Sequence, residues 1–531
     1  MARPLIALAQ PEPFQVYDTS LRDGAQQEGL HLSVSDKLRI AQLIDQLEVD
    51  YIEGGWPGAN PNDTEFFARA AGELRLAHAS LVAFGATRRV GLTAATDPLT
   101  QALIDAGTEV VCLVAKSHDR HVVEALKTTL DDNLAMIRDS VTFLRQHGKR
   151  VFVDCEHFFN GYLANPAYAA GVVECCAEAG AEVAVLCDTN GGMLPATVHD
   201  IVAEVATIGL PLGIHAHNDS GCAVANSLAA IDAGARQVQG TVNGHGERTG
   251  NADITTIIAN LKLKYGWDVI SDAGLRDLTR ISHAVAEIAN QSPNARQPYV
   301  GSSAFAHKAG LHASAIRVNA DLYQHIDPDV VGNGMRMLIS DMAGRANIQI
   351  KAEQLGHQLS DRQVASDLAD RVKRLEAQGY SFEAADASFD LLVRRQLAKL
   401  TPPFAVDTWR VFIDQDEAAQ AVVRLGFDGQ PAQPYIGEGN GPVNALDQAL
   451  RAALSGRYPV MADIELVDYR VRLLDNGHGT DATTRVLIDT RLGARLWTTV
   501  GVGANVVEAS WEALSDAYVY ALAVVAVADH D

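Results

Sequence analysis

The sequence predicts an α/β chain: a (β/α)8 barrel, then a helical linker, then an α+β domain with a duplicated strand–strand–strand–helix unit. Three observations carry this. Eight apolar, β-branched runs alternate with stretches of helical period between Phe14 and about residue 270. Glycines stand just before several of those runs, as C-terminal helix caps do. Polar clusters recur at the C-terminal ends of the runs, the end at which this fold places its chemistry.

In order, the strand candidates are Phe14–Asp18, Val49–Glu53, Ser80–Gly85, Glu109–Ala115, Val151–Glu156, Glu182–Asp188, Leu212–His217 and Gln237–Val242. Helical stretches such as Ser35–Leu47, Ala125–Gln146, Pro166–Glu178, Pro195–Ile208 and Cys222–Ala233 lie between them, and Gly107, Gly148, Gly180 and Gly234 supply the stops. A doubly wound sheet is the alternative. It usually has fewer strands, and no Gly-x-Gly-x-x-Gly follows the first strand.

Composition fits a soluble multidomain enzyme. The 531 residues are 47% hydrophobic and 21% charged, too long for one ordinary domain and rich enough for a large core. The 43 basic against 66 acidic residues give a net charge of −23, which disfavours nucleic acid and anionic membrane as partners. The six cysteines form no Cys-x-x-Cys pair and read as free thiols of a reducing cytosol. The apolar run near Met1 is too short for a signal peptide core, and no stretch approaches the ~18 apolar residues of a membrane span. The chain therefore reads as cytoplasmic.

The strand ends carry Asp18 to Gly24, Glu53-Gly-Gly55, Asp154 to His157, Asp188 to Gly192, His215-Ala-His217 and Asn243 to Arg248. Any one of these reads as a capped turn; six facing one mouth read as a site. His215 and His217 point to one side of a strand, so both imidazoles reach one ion. Imidazole with hard oxygen donors suits a divalent metal (Mn, Mg, Zn or Co). By position alone Asp18, Asp23, Glu53, Glu156, Asp188 and Asp219 all qualify as the carboxylate ligand.

Three separated strings narrow the choice: Asp18-Thr-Ser-Leu-Arg22-Asp23-Gly24-Ala-Gln26, Ile214-His215-Ala-His217-Asn218-Asp219, and Asn243-Gly-His-Gly246-Glu247-Arg248-Thr-Gly250-Asn251. Together they resemble the 2-isopropylmalate, homocitrate and citramalate synthases, barrels of the metallolyase type, over essentially the whole chain. Glu53-Gly-Gly-Trp56-Pro57-Gly58, Phe84-Gly85-Ala-Thr87-Arg88-Arg89, Glu156 to Tyr162 and Cys187-Asp-Thr-Asn190-Gly-Gly192 are similar to the branch that condenses acetyl-CoA with pyruvate. Asn160 and His245 depart from the commoner Asp and Tyr; neither is a ligand by analogy.

The resemblance implies an acyltransferase that turns the acyl group into an alkyl group on transfer, serving isoleucine synthesis. It implies Asp23, His215, His217 and Asn251 as metal ligands. Arg22 would stabilise charge on the ketone oxygen, with Glu53 orienting it; the plain alternative for Arg22 is a structural ion pair. Thr189 would bind the oxo-acid carboxylate; its plain reading is an N-cap. His312, assisted by Tyr323, is the implied base, with His307 as the competing histidine. Glu156 would tune His312 or activate the water that cleaves the thioester. Rival readings are an isopropylmalate or homocitrate synthase, a hydroxyacyl-CoA or hydroxy-oxo-acid lyase, and a non-catalytic amino-acid sensor.

Domains are expected at 14–270 (barrel), 271–400 (helical linker and lid) and 401–531. In the linker, Ser282–Ala289, Asp361–Ala377 and Phe382–Leu400 show helical spacing. After Thr401-Pro402-Pro403 come strands Trp409–Ile413, Ala421–Phe427, Ile464–Leu474, Thr484–Asp489 and Arg495–Val500, and helices Val443–Leu454 and Val506–Val527. Gly501-Val-Gly503 reads as a turn. By resemblance this is a regulatory domain for an end-product amino acid, isoleucine in the pyruvate-using branch, in a homodimer.

Overall fold

The computed structural model describes residues 8–307, 312, 315–316, 318–337, 345–359, 361–382, 385–414, 418–474, 482–493 and 495–526. Contacts divide the chain into two units, Met1–Phe305 with Ile326–Gly334, and Ala306–His325 with Met335–Asp531.

The first unit is built on a closed barrel of eight parallel strands in sequential order. They are β1 (Gln15–Asp18), β2 (Tyr51–Gly55), β3 (Ser80–Ala86), β4 (Val110–Lys116), β5 (Arg150–Glu156), β6 (Val183–Asp188), β7 (Leu212–Ala216) and β8 (Gln237–Gly240). β1 pairs with β2 on one side and β8 on the other, so no strand edge is left open. The doubly wound alternative is thereby excluded. The expected glycine stops hold: Gly107, Gly148, Gly180 and Gly234 all have φ between 74° and 111°, the left-handed region that ends a helix.

Two apolar layers hold the barrel. Outside the strands, residues such as Ile52, Val153 and Ile214 pack against helix residues such as Ile44, Phe66 and Val172. Inside, Tyr17, Tyr51, Phe84, Cys112, Phe152, Val185 and Cys187 fill the lumen, with Trp56 packed on them. The lumen is thus a packed floor, and the strand ends above it are free to carry chemistry.

In the second unit, helices Arg345–Gln354, Arg362–Ala377 and Asp386–Gln396 share a small core. Beyond them stand two antiparallel three-stranded sheets. The first holds β9 (Ala405–Phe412), β10 (Ala419–Gly426) and β11 (Gln433–Gly439), followed by helix Pro442–Leu454. The second holds β12 (Ile464–Leu473), β13 (Thr484–Leu492) and β14 (Arg495–Gly503), followed by helix Val506–Tyr520. The duplication is therefore present, with one strand, β11, that the sequence reading omits. Its Gln-Pro-Tyr-Ile-Gly-Glu-Gly text has a proline at its second position and two glycines among its last three residues, which hides the strand.

Gly501 and Gly503 are a correction: they end β14 rather than forming a turn. A Cβ on Gly501 would lie 2.1 Å from Ala509 O, and one on Gly437 in β11 would lie 2.2 Å from Ala449 N. Both Gly-x-Gly pairs are glycine because the following helix backbone lies directly on the strand.

Among the described residues, no helix is long and apolar enough to cross a membrane.

Candidate active site

The β1 end makes a tight turn in which Thr19 O accepts from the amides of Arg22, Asp23 and Gly24. This turn places Arg22 and Asp23 at the C-terminal mouth of the barrel. Asp23 Oδ2 lies 3.1 Å from His215 Nε2 and 3.5 Å from His217 Nε2. The three side chains are buried, and their ligand atoms lie within 4.8 Å of one another. Position alone left six carboxylates open; the geometry selects Asp23.

The others are committed elsewhere. Asp18 accepts from Ser20 N and Oγ. Asp188 accepts from Gly192 N and Met193 N. Asp219 binds Arg248 with both oxygens, at 2.8 and 2.9 Å. Glu53 binds Arg22, and Glu156 is ion-paired with Lys116.

The electrostatics fit a cation. Burial works against ionising Asp23, but Arg22 and His215 outweigh it and hold its carboxyl well below the usual range. His215 is buried, which disfavours its charge, yet Asp23 lifts it to about 9. His217 is pushed down to about 4 by burial and by the charge at His215. In the metal-free protein a proton on His215 thus supplies the positive charge that Asp23 demands. Asn251 Oδ1 is buried and accepts no hydrogen bond. Asn251 also pairs with His217 through an isolated bridge between the β7 and β8 loops. A buried oxygen without a donor, on a residue paired with His217, together with the Asp23–His215–His217 group, offers donor types that suit a divalent ion.

Arg22 is rigidly held. Its Nε donates to Glu53 Oε1 at 2.5 Å, Nη1 donates to Asp23 Oδ1 at 3.1 Å, and its guanidinium lies 3.8 Å over Phe84. Tyr17 OH donates to the other Glu53 oxygen at 2.7 Å. Burial opposes the Arg22 charge, but Glu53 and Asp23 outweigh it and keep it protonated.

Thr189 is not an N-cap: the helix beginning at Pro195 has Leu194 in that position. Its Oγ1 instead accepts from His157 N at 2.8 Å, which leaves the hydroxyl proton to donate. His157 adopts φ 56° to make this contact, a conformation rare for non-glycine residues. Gly244, Gly246 and Gly250 lie in a compact turn in which Asn251 N donates to Gly244 O; a Cβ on Gly250 would meet Gly244 O at 1.9 Å.

Sequence reasoning missed four residues here. Tyr17 and Phe84 brace Glu53 and Arg22, Lys116 pairs with Glu156, and Gln239 holds His215. Each lies inside a strand, where the period-2 pattern shows only that a residue faces inward.

The second unit brings three rings of the 307–323 stretch close together. His312 and Tyr323 stack with ring centroids 4.2 Å apart, and His307 stands 6.2 Å from His312. Of the 307–316 segment, Lys308, Ala309, Gly310, Leu311, Ala313 and Ser314 lie outside the described residues.

The fold is an eight-stranded parallel barrel with two histidines and an aspartate converging at its mouth, a group that could hold a metal ion. The HMGL-like family model matches residues 13–285, a homocitrate synthase post-HMGL domain-like model residues 299–380, and a LeuA allosteric (dimerisation) domain model residues 383–522. Over 518 residues the chain is 58% identical to an (R)-citramalate synthase of Streptomyces coelicolor, covering 96% of this chain and 97% of that one. It is 49% identical to one of Synechocystis sp., covering 96% of each. It is 48% identical to one of Aquifex aeolicus, covering 96% of this chain and 98% of the other. The chain belongs to the HMGL-like family and, within it, to the family of the (R)-citramalate synthases.

Proposed function

We propose that this chain joins acetyl-CoA to pyruvate and hydrolyses the resulting thioester, releasing (R)-citramalate and CoA for isoleucine synthesis. The observation that carries the reading is the convergence of His215, His217 and Asp23 on one point beside a braced Arg22.

Asp23, His215 and His217, with Asn251 as a fourth donor, would hold a divalent metal. When bound, the metal polarises the 2-oxo-acid carbonyl as a Lewis acid. Arg22 faces the oxygen on which negative charge develops, and it pays no reorganisation cost because Glu53 and Phe84 already fix it. Thr189 donates its hydroxyl to the oxo-acid carboxylate. His312, with Tyr323 against its ring, removes a proton from the acetyl methyl group. The methyl carbon then bonds to C2 of pyruvate. Glu156 takes a proton from water as that water attacks the thioester carbonyl, and the C–S bond breaks to release CoA. The two sheets of the second unit would bind isoleucine as effector and join two copies of the chain.

The deciding experiment offers pyruvate, 2-oxoisovalerate and 2-oxoglutarate with acetyl-CoA and records thiol release. Pyruvate should be preferred, and a clear preference for 2-oxoisovalerate sinks the reading.

A further inference from the structure

A buried chain of hydrogen bonds runs from the metal-site histidine down into the barrel lumen. His215 Nδ1 lies 2.8 Å from Gln239 Oε1, and Gln239 Nε2 lies 3.1 Å from Asp154 Oδ1. Cys112 Sγ meets the same Asp154 oxygen at 3.2 Å, and Gln237 Oε1 lies 3.5 Å from Gln239 Nε2. All of it is closed to water: Asp154 is 4%, Gln239 0% and His215 5% exposed.

The chain has a direction. Asp154 Oδ1 receives two donors, so it acts as an acceptor, and Gln237 offers a second acceptor on the same side. Together they turn the Gln239 amide so that its NH2 faces the lumen. Gln239 Oε1 therefore faces His215 and can only accept, so His215 must carry its proton on Nδ1. The Nε2 proton, held against Asp23 in the metal-free protein, is then the one that a metal displaces, freeing the Nε2 lone pair to ligate. A flipped amide would present NH2 to His215, demand an unprotonated Nδ1 and place the proton on Nε2, blocking ligation.

We propose that Asp154 and Gln239 are positioning residues that set the ligating tautomer of His215, with Asp154 acting through Gln239. This rests on the metal-site reading above. Asp154 also lies on the strand that ends in Glu156, so one strand supports both halves of the proposed site.

The test is Co2+ binding to the metal-free full-length protein by titration calorimetry. Its companion is the 15N histidine spectrum of the Zn2+-loaded form, which reads the tautomer directly. Thermal midpoints of the metal-free variants check the fold. Gln239→Met and Asp154→Leu should each weaken Co2+ binding about 10–100-fold. Asp154→Asn keeps an accepting oxygen and should stay within about threefold of wild type. Zn2+-loaded wild type should show His215 protonated on Nδ1. Asp154→Leu removes a buried polar group, so it keeps the test alive if Gln239→Met does not fold. Binding within twofold of wild type in Gln239→Met or Asp154→Leu overturns the proposal. So does an equal loss in Asp154→Asn and Asp154→Leu, because charge rather than hydrogen-bond direction would then be the cause. If wild type binds no divalent ion, this proposal and the metal reading both fall. If His217→Ala abolishes binding while the lumen variants keep it, this proposal alone falls.

Discussion

Arg22 Nε and Glu53 Oε1 meet at 2.5 Å in the barrel mouth, and Glu53 is fully buried. Tyr17 occupies the second Glu53 oxygen, and Phe84 covers the guanidinium face. The fork is therefore aimed, not merely charged. Arg22→Lys keeps the charge but loses the planar fork and the stacking. We expect kcat/KM for pyruvate to fall about 10²–10³-fold, the scale of losing one preorganised oxyanion donor. Steady-state kinetics on a variant with wild-type metal content checks this; a loss under tenfold would reduce Arg22 to a structural ion pair.

His312 and Tyr323 stack at 4.2 Å. If His312 removes the methyl proton, His312→Ala should cut kcat by about 10²–10⁴ and abolish washout of label from [2H3]acetyl-CoA into solvent. Metal affinity should not change. Unchanged washout would move the base elsewhere, with His307 next to be tested.

His157 gives a pH prediction. Burial depresses it to about 4, with the charges of His121 and Lys116 adding to this against the pull of Glu156. The unfolded chain takes up that proton near the ordinary histidine value of about 6.5. From about 6.5 down to 4 the unfolded state is protonated and the folded state is not, so stability falls as pH falls. The cost is absent above pH 7 and complete below about 4. His157→Asn removes it and also suits the φ of 56°. Urea midpoints at pH 7.5 and 5 should show the variant gaining on wild type only at pH 5; an equal difference at both values would refute the titration.

In the second unit, Gly437 and Gly501 admit a helix backbone at 2.2 and 2.1 Å from where a Cβ would stand. Gly437→Ala and Gly501→Ala should each cost about 1–3 kcal/mol or more, because backbone cannot move aside as a side chain can. Gly456 has nothing within 4 Å, so Gly456→Ala should be neutral or slightly stabilising. Chemical denaturation followed by the tryptophans of this region (Trp409, Trp497 and Trp511) reports the difference. Equal effects at all three positions would refute the contact argument.

The barrel was legible in the sequence because a parallel strand buried on both faces must be a continuous apolar run, and its helix must stop at a residue that tolerates positive φ. Gly107 and Gly180 show both rules at work. The site was legible in outline because His215 and His217 share a face by the period of the strand alone. The missing strand β11 shows the limit: Pro434, Gly437 and Gly439 are strand breakers locally, the glycines tolerated because a helix backbone needs the room and the proline because β11 is an edge strand.

Residue order along the chain thus determined the eight alternating units, the strand ends that bear polar groups, and the two histidines on one face, since each follows from local periodicity. The distances that bring Asp23 to both histidines, the Phe84 face over Arg22, and the run from Asp154 through Gln239 to His215 belong to the tertiary structure. Those contacts join strands far apart in the chain. Which oxygen meets which nitrogen depends on the closure of the barrel, and a reading of neighbours in sequence has no term for that.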